Sequence, residues 1–161
     1  MNNEGESGEA FPTPGEKIFW VNGSFWKRIA SGEDTENKYA LMDVTVLPKN
    51  GAKSHIHSRE DEVLYIIDGC FDLQYGDNSI RATNGFHLFM KRGIPHSFKN
   101  IGNNEGKILI MFIPAGCEKL YEELGIPVTD LKAFVKPYTF HNFVKVIQLL
   151  RKYGIEPKIP L

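Results

Sequence analysis

Two histidines stand one residue apart in the segment GAKSHIHSREDEVLYIIDG, residues 51–69. If residues 54–58 are extended, His55 and His57 point to the same face of the strand, because side chains alternate across it. Their Cα atoms then lie roughly 6.6 Å apart, at a rise of about 3.3 Å per residue. From that separation two imidazoles can bind one ion with metal–nitrogen bonds of about 2.0–2.1 Å. The pair therefore predicts two ligands of a metal site.

A carboxylate is placed to join this pair. Glu62 follows His57 after four intervening residues, 58–61, which we interpret as a spacing turn. Its position along the strand has the same parity as Leu64 and Ile66, so it should face the interior with them. Glu62 is therefore the third predicted ligand.

The third histidine lies in the segment GFHLFMKRGIPHSFKN, residues 85–100. His96 begins a predicted strand after a Gly/Pro turn, and Phe98 shares its face. Four polar groups inside an apolar barrel would each cost roughly a few kcal/mol if they were left unpaired, whereas one metal ion would satisfy all four. The alternative is a barrel whose histidines only form hydrogen bonds.

These two segments resemble the two sequence motifs of the cupin superfamily. The matching residues are His55, His57, Glu62 and Gly69 in the first segment and Gly85, Gly93, His96 and Asn100 in the second. Lys91 stands where the second motif has a proline, and Lys49 stands where a glycine precedes the first histidine by six residues. Both are turn positions rather than ligands. The 15 residues between the motifs resemble the short bacterial form of the family.

The resemblance covers residues 38–113 and implies a jelly-roll β-barrel. It implies that the matching histidines and glutamate bind a divalent first-row metal. It also implies a homodimer.

The ligand set narrows the choice of metal. Three neutral imidazoles and one carboxylate leave a divalent ion with a net charge of about +1 and with open coordination positions. An octahedral ion would keep about two positions for water, substrate or dioxygen. Nitrogen and oxygen ligands without a thiolate favour Fe, Mn or Ni, while Zn, Co and Cu also fit.

Short strands separated by turn residues must position these ligands. The strand patterns run through residues 17–113 at spacings of about 8–12 residues, which predicts an antiparallel sandwich or barrel. Asn22 and Gly23 form a dipeptide typical of a two-residue hairpin. The patterns therefore predict an all-β fold with a short helical C-terminal extension, and the resemblance implies that it is a cupin-type jelly-roll β-barrel.

The chain divides into three predicted parts. Residues 1–16 are a polar N-terminal tail that cannot build a core of its own, and residues 17–115 are the barrel. Residues 116–161 carry helical spacing in GCEKLYEELG and TFHNFVKVIQLLRKYG, with Gly154 as a candidate helix C-cap.

Composition excludes several classes of partner. A formal net charge of −1 over 161 residues gives no field that would attract nucleic acid or an anionic membrane. No basic patch or helix-turn-helix pattern is present, and no apolar run approaches the ~20 residues that span a bilayer. Two cysteines and an acidic N-terminus without an apolar run predict a cytoplasmic protein.

A substrate-binding lining is predicted from strand parity alone. It consists of Met42, Val44, Leu64, Ile66, Leu73, Leu88, Phe98 and Phe112. A cavity among these residues would suit a planar aromatic or mostly apolar small molecule with a few polar groups. The alternative is a packed core without a cavity.

The layout of a short single-domain barrel with a C-terminal helix is similar to bacterial quercetin-dioxygenase-like cupins. This resemblance implies an oxygen-dependent, ring-cleaving dioxygenase that acts on a flavonol-like or other enolic or phenolic small molecule. Glu62 would be the catalytic base that takes the proton of the enol or phenol. Dioxygen would then react with the electron-rich anion.

Two other functions fit the same residues. A metal-dependent isomerase or epimerase could use the ion as a Lewis acid, with Lys91 and Arg92 holding an anionic substrate. Alternatively, the barrel binds a small ligand without converting it.

Overall fold

The computed structural model describes residues 17–134 and 143–158, and the predicted tail of residues 1–16 lies outside the described residues. In chain order the elements are β1 (Lys17–Val21), β2 (Ser24–Ala30), β3 (Ala40–Val46), β4 (Gly51–His57), β5 (Asp61–Asp68), β6 (Cys70–Tyr75), β7 (Asn78–Thr83), β8 (His87–Met90), β9 (His96–Asn100), β10 (Gly106–Ile113), α1 (Glu118–Leu124), β11 (Ile126–Val128), α2 (Phe143–Lys152) and β12 (Ile155–Pro157).

The strands form two sheets of different size. The larger sheet has the order β11-β1-β2-β3-β10-β5-β8, and the smaller has the order β12-β4-β9-β6-β7. The paired strands run antiparallel. The prediction of an all-β jelly roll is therefore confirmed.

The core lies between the two sheets because alternate residues of each strand face inward. In β3 the buried positions alternate with half-buried ones, and β10 follows the same rule with Ile108, Ile110 and Phe112 fully buried. This period of two is what a strand with one solvated face requires. It also fixes the register, since a slip of one residue would turn the apolar face outward.

The first hairpin shows how turn residues set that register. Asn22 and Gly23 join β1 to β2 with positive φ angles of 41° and 84°. A two-residue hairpin of this type needs positive φ at both positions, which Asn-Gly provides at low cost. The hairpin prediction is confirmed.

The C-terminal region contains the two predicted helices and also two strands that were not predicted. β11 pairs with β1 at the edge of the larger sheet, and β12 pairs with β4 at the edge of the smaller one. Gly154, with a φ of +74°, turns the chain from α2 into β12. The region after residue 115 therefore extends both sheets as well as adding helices. Within the described ranges, no helix is long and apolar enough to cross a membrane.

Candidate metal centre

Three strands bring the predicted ligands to one end of the barrel. β4 and β9 are neighbours in the smaller sheet, and their register places His55 opposite His96. β5, in the facing sheet, carries Glu62 on its buried face. His57 ends β4 and is buried, whereas His55 is half-buried. The four side chains predicted from the sequence thus meet across the gap between the sheets.

The donor atoms of these side chains converge. Nε2 of His57 and Nε2 of His96 each lie 3.3 Å from Oε2 of Glu62. Nε2 of His55 lies 3.2 Å from Nε2 of His57. One donor atom from each of the four residues lies within 4.8 Å of all the others. An ion between them could contact all four.

Backbone carbonyls fix the rings of two histidines. Nδ1 of His55 lies 2.7 Å from the carbonyl oxygen of Lys53, and Nδ1 of His96 lies 3.0 Å from that of Ile94. A carbonyl only accepts hydrogen bonds, so Nδ1 must carry the proton in both rings. The lone pair of each ring is therefore on Nε2, which points to the centre.

The third ring is fixed by a side chain instead. Nδ1 of His57 lies 3.4 Å from Oε2 of Glu60, which is also buried. A carboxylate accepts the Nδ1 proton in the same way, so Nε2 of His57 again carries the lone pair. All three imidazoles present an unprotonated nitrogen to the same point.

One atom shows that protein groups alone do not satisfy this site. Among the described residues, Nε2 of His96 is buried and has no hydrogen-bond partner, because its neighbour Oε2 of Glu62 at 3.3 Å can accept a bond only if Nε2 carries a proton. An unpaired buried polar atom costs about 1–3 kcal/mol. Three imidazole nitrogens and one carboxylate suit a divalent first-row ion, and such an ion would satisfy this atom. The residues therefore fit the metal that the sequence predicts.

Burial and charge affect the protonation of the candidate ligands in different ways. Burial lowers the pKa of His55 to about 4, so that ring is neutral at neutral pH. Burial favours the neutral form of Glu62, but contact with His96 and the positive charge that the neighbouring rings carry when protonated outweigh it and lower the pKa of this carboxyl. Burial also acts against a charged His96, yet the Glu62 carboxylate raises the pKa of His96. A proton and a cation therefore compete for Nε2 of His96.

The predicted substrate lining lies in the hydrophobic core. Met42, Val44, Leu64, Ile66, Leu73, Phe98 and Phe112 are buried there, and Leu88 packs against them partly buried. Of these, Phe112 is directly opposite Glu62 in the strand register, and its ring centre lies 5.6 Å from that of His57. Phe112 thus forms an apolar wall of the site. A ligand-binding role for the eight residues stays a prediction.

Sequence reasoning missed Glu60 and Cys117. Both are buried, and together with His57 they form a second group whose donor atoms lie within 4.8 Å of one another. Glu60 was interpreted as part of the spacing turn, but its side chain points inward. Its spacing of three residues after His57 was the available signal, although a carboxylate within the run REDE is usually solvated.

The two basic residues proposed to hold an anion are in different situations. Arg92 is held by Asp61, since its Nε and Nη2 atoms lie 3.1 and 3.0 Å from the two carboxylate oxygens. This bidentate contact raises the pKa of Arg92 and lowers the pKa of Asp61. Lys91 is exposed, and its backbone N–H donates to the hydroxyl of Tyr75. Arg92 is therefore already paired with a carboxylate of the protein itself.

Comparison with known families gives a match to part of the barrel. Residues 42–112 match the family model described as "Cupin domain". This segment contains all four candidate ligands.

One curated relative is detected by sequence. It is the tetracenomycin polyketide synthase protein TcmJ of Streptomyces glaucescens, 26% identical over 74 residues, which cover 46% of this chain and 50% of that protein. The chain thus spans about half the length of the curated relative that it matches.

Solved structures share the fold at low identity. KdgF from Halomonas sp. superposes with a TM-score of 0.55 at 16% identity, covering 60% of this chain and 84% of that one. An RmlC-like cupin from Shewanella frigidimarina gives 0.56 at 16%, covering 63% and 86%. A predicted oxalate decarboxylase from Thermotoga maritima gives 0.55 at 24%, covering 56% and 80%. These likenesses show the fold alone.

Proposed function

We propose that this chain, whose residues 42–112 match the cupin domain model, binds one divalent first-row metal ion and acts on a small enolic or phenolic molecule. The proposed ligands are His55, His57, Glu62 and His96. The proposed reaction is an oxygen-dependent ring cleavage, with Fe, Mn or Ni as the favoured ion.

One observation carries the metal part of this proposal. Four donor atoms lie within 4.8 Å of one another, and one of them, Nε2 of His96, has no hydrogen-bond partner among the described residues. A site built only for stability would pair its buried polar atoms. A divalent cation would satisfy the three imidazole lone pairs and the carboxylate together.

The residues of the chain supply binding and proton transfer. The pKa of Glu62 is lowered, so its carboxylate is ionised and can accept the proton of an enol or phenol. Phe112 presents an apolar surface beside His57, which helps to exclude water from the reacting group. A bound Fe, Mn or Ni ion would supply Lewis acidity and access to a second oxidation state.

The substrate class has separate support. The printed name of the Streptomyces glaucescens relative connects that protein with a polyketide synthase. Polyketides carry enolic and phenolic oxygens, which is the chemical class proposed here. The alignment covers 46% of this chain and 50% of that protein, so the support concerns a part of each protein and not the whole.

Oxygen consumption tests the proposed reaction. The chain is reconstituted separately with Fe(II), Mn(II) and Ni(II), and dioxygen uptake is recorded with a flavonol as substrate. We expect uptake with at least one ion and none in the His55→Ala, His57→Ala double variant. Absence of uptake with every ion, in protein that holds the metal stoichiometrically, would refute the dioxygenase. A ligand that raises the melting temperature without being converted would then favour a binding protein.

The isomerase alternative has weaker support. It needs a cationic clamp for an anionic substrate, but the guanidinium of Arg92 already contacts Asp61. If this alternative holds, Lys91→Ala and Arg92→Ala should raise KM for anionic sugars. Unchanged kinetics would count against it.

The homodimer and the cytoplasmic location remain predictions from the sequence. Light scattering coupled to gel filtration should give twice the mass of one chain if the dimer forms. A mass of one chain at micromolar concentration would contradict it.

A further inference from the structure

The three candidate histidines differ in the group that contacts Nδ1, the outer nitrogen of the ring, which faces away from the centre. His55 and His96 donate from Nδ1 to backbone carbonyls, whereas His57 faces the carboxylate of Glu60 at 3.4 Å. A carbonyl carries only a partial charge, but an ionised carboxylate carries a full one. His57 therefore has a partner that can do more than orient the ring.

Glu60 is buried, and the turn that carries it is held in place. It is 4% exposed, which is unusual for a glutamate without a paired group. The backbone N–H and the hydroxyl of Ser58 both donate to the carbonyl of Gly154, at 2.8 and 2.7 Å. Nη1 of Arg59 donates to the carbonyl of Lys152 at 3.0 Å. The segment between α2 and β12 thus holds the turn on which Glu60 sits.

A carboxylate on the outer nitrogen of a ligating histidine has a defined effect. It fixes the tautomer and the plane of the ring, and it makes the inner nitrogen a stronger donor. It also adds a second negative charge near the ion, so that Glu60 and Glu62 together balance a divalent cation. Loss of such a partner typically lowers metal affinity about 10–100-fold.

From this arrangement we propose that Glu60 is a positioning residue for the metal centre, acting through His57. The inference rests on the proposed function, because it requires that His57 bind a metal. Cys117 lies in the same buried group, but a thiol is only a weak hydrogen-bond acceptor, and Nδ1 of His57 faces the carboxylate of Glu60.

The test measures Co(II) affinity by competition with a chromogenic chelator and records the visible spectrum of the Co(II) form. Glu60→Met removes the acceptor at nearly constant volume, and Glu60→Gln keeps an acceptor oxygen but removes the charge. Glu156→Gln, on the exposed side of β12, is the matched control for loss of one carboxylate. Circular dichroism checks that each variant is folded.

We expect Glu60→Met to bind Co(II) about 10–100-fold more weakly than the original chain, with a shifted visible spectrum. Glu60→Gln should bind with intermediate affinity, and Glu156→Gln should match the original chain. Affinity within threefold and an unchanged spectrum in both folded Glu60 variants would overturn the proposal.

Two further outcomes separate this inference from others. If the original chain binds no Co(II), the proposed metal function fails, and the inference falls with it. If the original chain binds two ions, and both Glu60→Met and Cys117→Ser lose one of them at unchanged affinity for the other, the inference alone is wrong. In that case His57, Glu60 and Cys117 would hold a second ion.

Discussion

Glu62 and Glu118 are both buried carboxylates, and their surroundings are opposite. Glu118 is 1% exposed and accepts hydrogen bonds from the backbone N–H groups of Gly32 and Gly116, at 3.0 and 2.6 Å. Glu62 is 3% exposed, and its Oε2 faces the Nε2 atoms of His57 and His96 at 3.3 Å. Glu118 faces donors, whereas Glu62 faces nitrogens that carry lone pairs.

This difference distinguishes a structural carboxylate from a candidate metal ligand. The bonds of Glu118 connect α1 to the loop after β2 and satisfy its charge within the protein. Around Glu62, lone pairs and a negative charge repel one another until a proton or a cation enters. A buried carboxylate that faces lone pairs and no hydrogen-bond donor is therefore the arrangement expected of a cation site.

Replacing each carboxylate with a neutral amide should give the largest difference in metal binding between the two positions. Glu62→Gln removes a ligand, so we expect stoichiometric metal binding to be lost. Glu118→Gln should leave the metal content unchanged, because its contacts are to backbone N–H groups, but should lower the free energy of unfolding by about 1–3 kcal/mol. Elemental analysis and urea denaturation measure the two effects. The same metal loss in both variants would remove the distinction between the two carboxylates.

Removing the metal should destabilise only the proteins that retain Glu62. Binding to the folded chain alone stabilises it by about 2.7 kcal/mol when the free ion is at 100 times Kd. Chelation should therefore lower the melting temperature of the original chain and of Glu118→Gln, and should leave Glu62→Gln unchanged. Melting curves with and without chelator measure this effect. Identical curves for the original chain would contradict a bound ion that stabilises the fold.

A glycine substitution tests whether the C-terminal segment supports the site. A Cβ at Gly154 would lie 2.7 Å from Oγ of Ser58 and 2.8 Å from Nε of Arg59. Gly154→Ala should cost roughly 1–2 kcal/mol for its positive φ, and should weaken metal binding severalfold by displacing the turn. Gly85→Ala is the matched control, because Gly85 has a φ of +85° and no atom within 4 Å of its would-be Cβ. Equal metal affinity in the two variants would show that the segment does not support the site.

The exposed ion pair should give the smallest effect. Arg92→Ala breaks the contact with Asp61, next in sequence to Glu62, but solvent screens this pair and exposed pairs contribute little. We expect the metal content to stay the same and the urea midpoint to change only slightly. A clear fall in metal content would mean that this pair positions the ligand strand.

The convergence of the candidate ligands was predictable because strands impose simple rules. Alternation placed His55 and His57 on one face, and the parity shared with Leu64 and Ile66 placed Glu62 inside; the structure brings these side chains together with His96. These inferences need only a period of two and the position of turns. The motif spacing supplied the link between segments that are far apart in the sequence.

The remaining features depend on the folded chain. β11 and β12 are three residues long and each contains a proline, so neither carries an alternating pattern; both lie at sheet edges, where proline is tolerated. Glu60 lies between other charged residues, and the turn that carries it is held by contacts of Ser58 and Arg59 with Gly154 and Lys152, far along the chain. Packing among the eight core residues likewise follows from contacts between strands and not from parity.

Metal content tests the central claim most directly. The chain and its His55→Ala, His57→Ala double variant are purified without added metal, and their elemental composition is measured before and after incubation with Fe(II), Mn(II) and Ni(II). We predict close to one first-row ion per chain in the original protein and background levels in the folded double variant. Full occupancy in the double variant, or no binding of any of these ions by the original protein, would contradict the account.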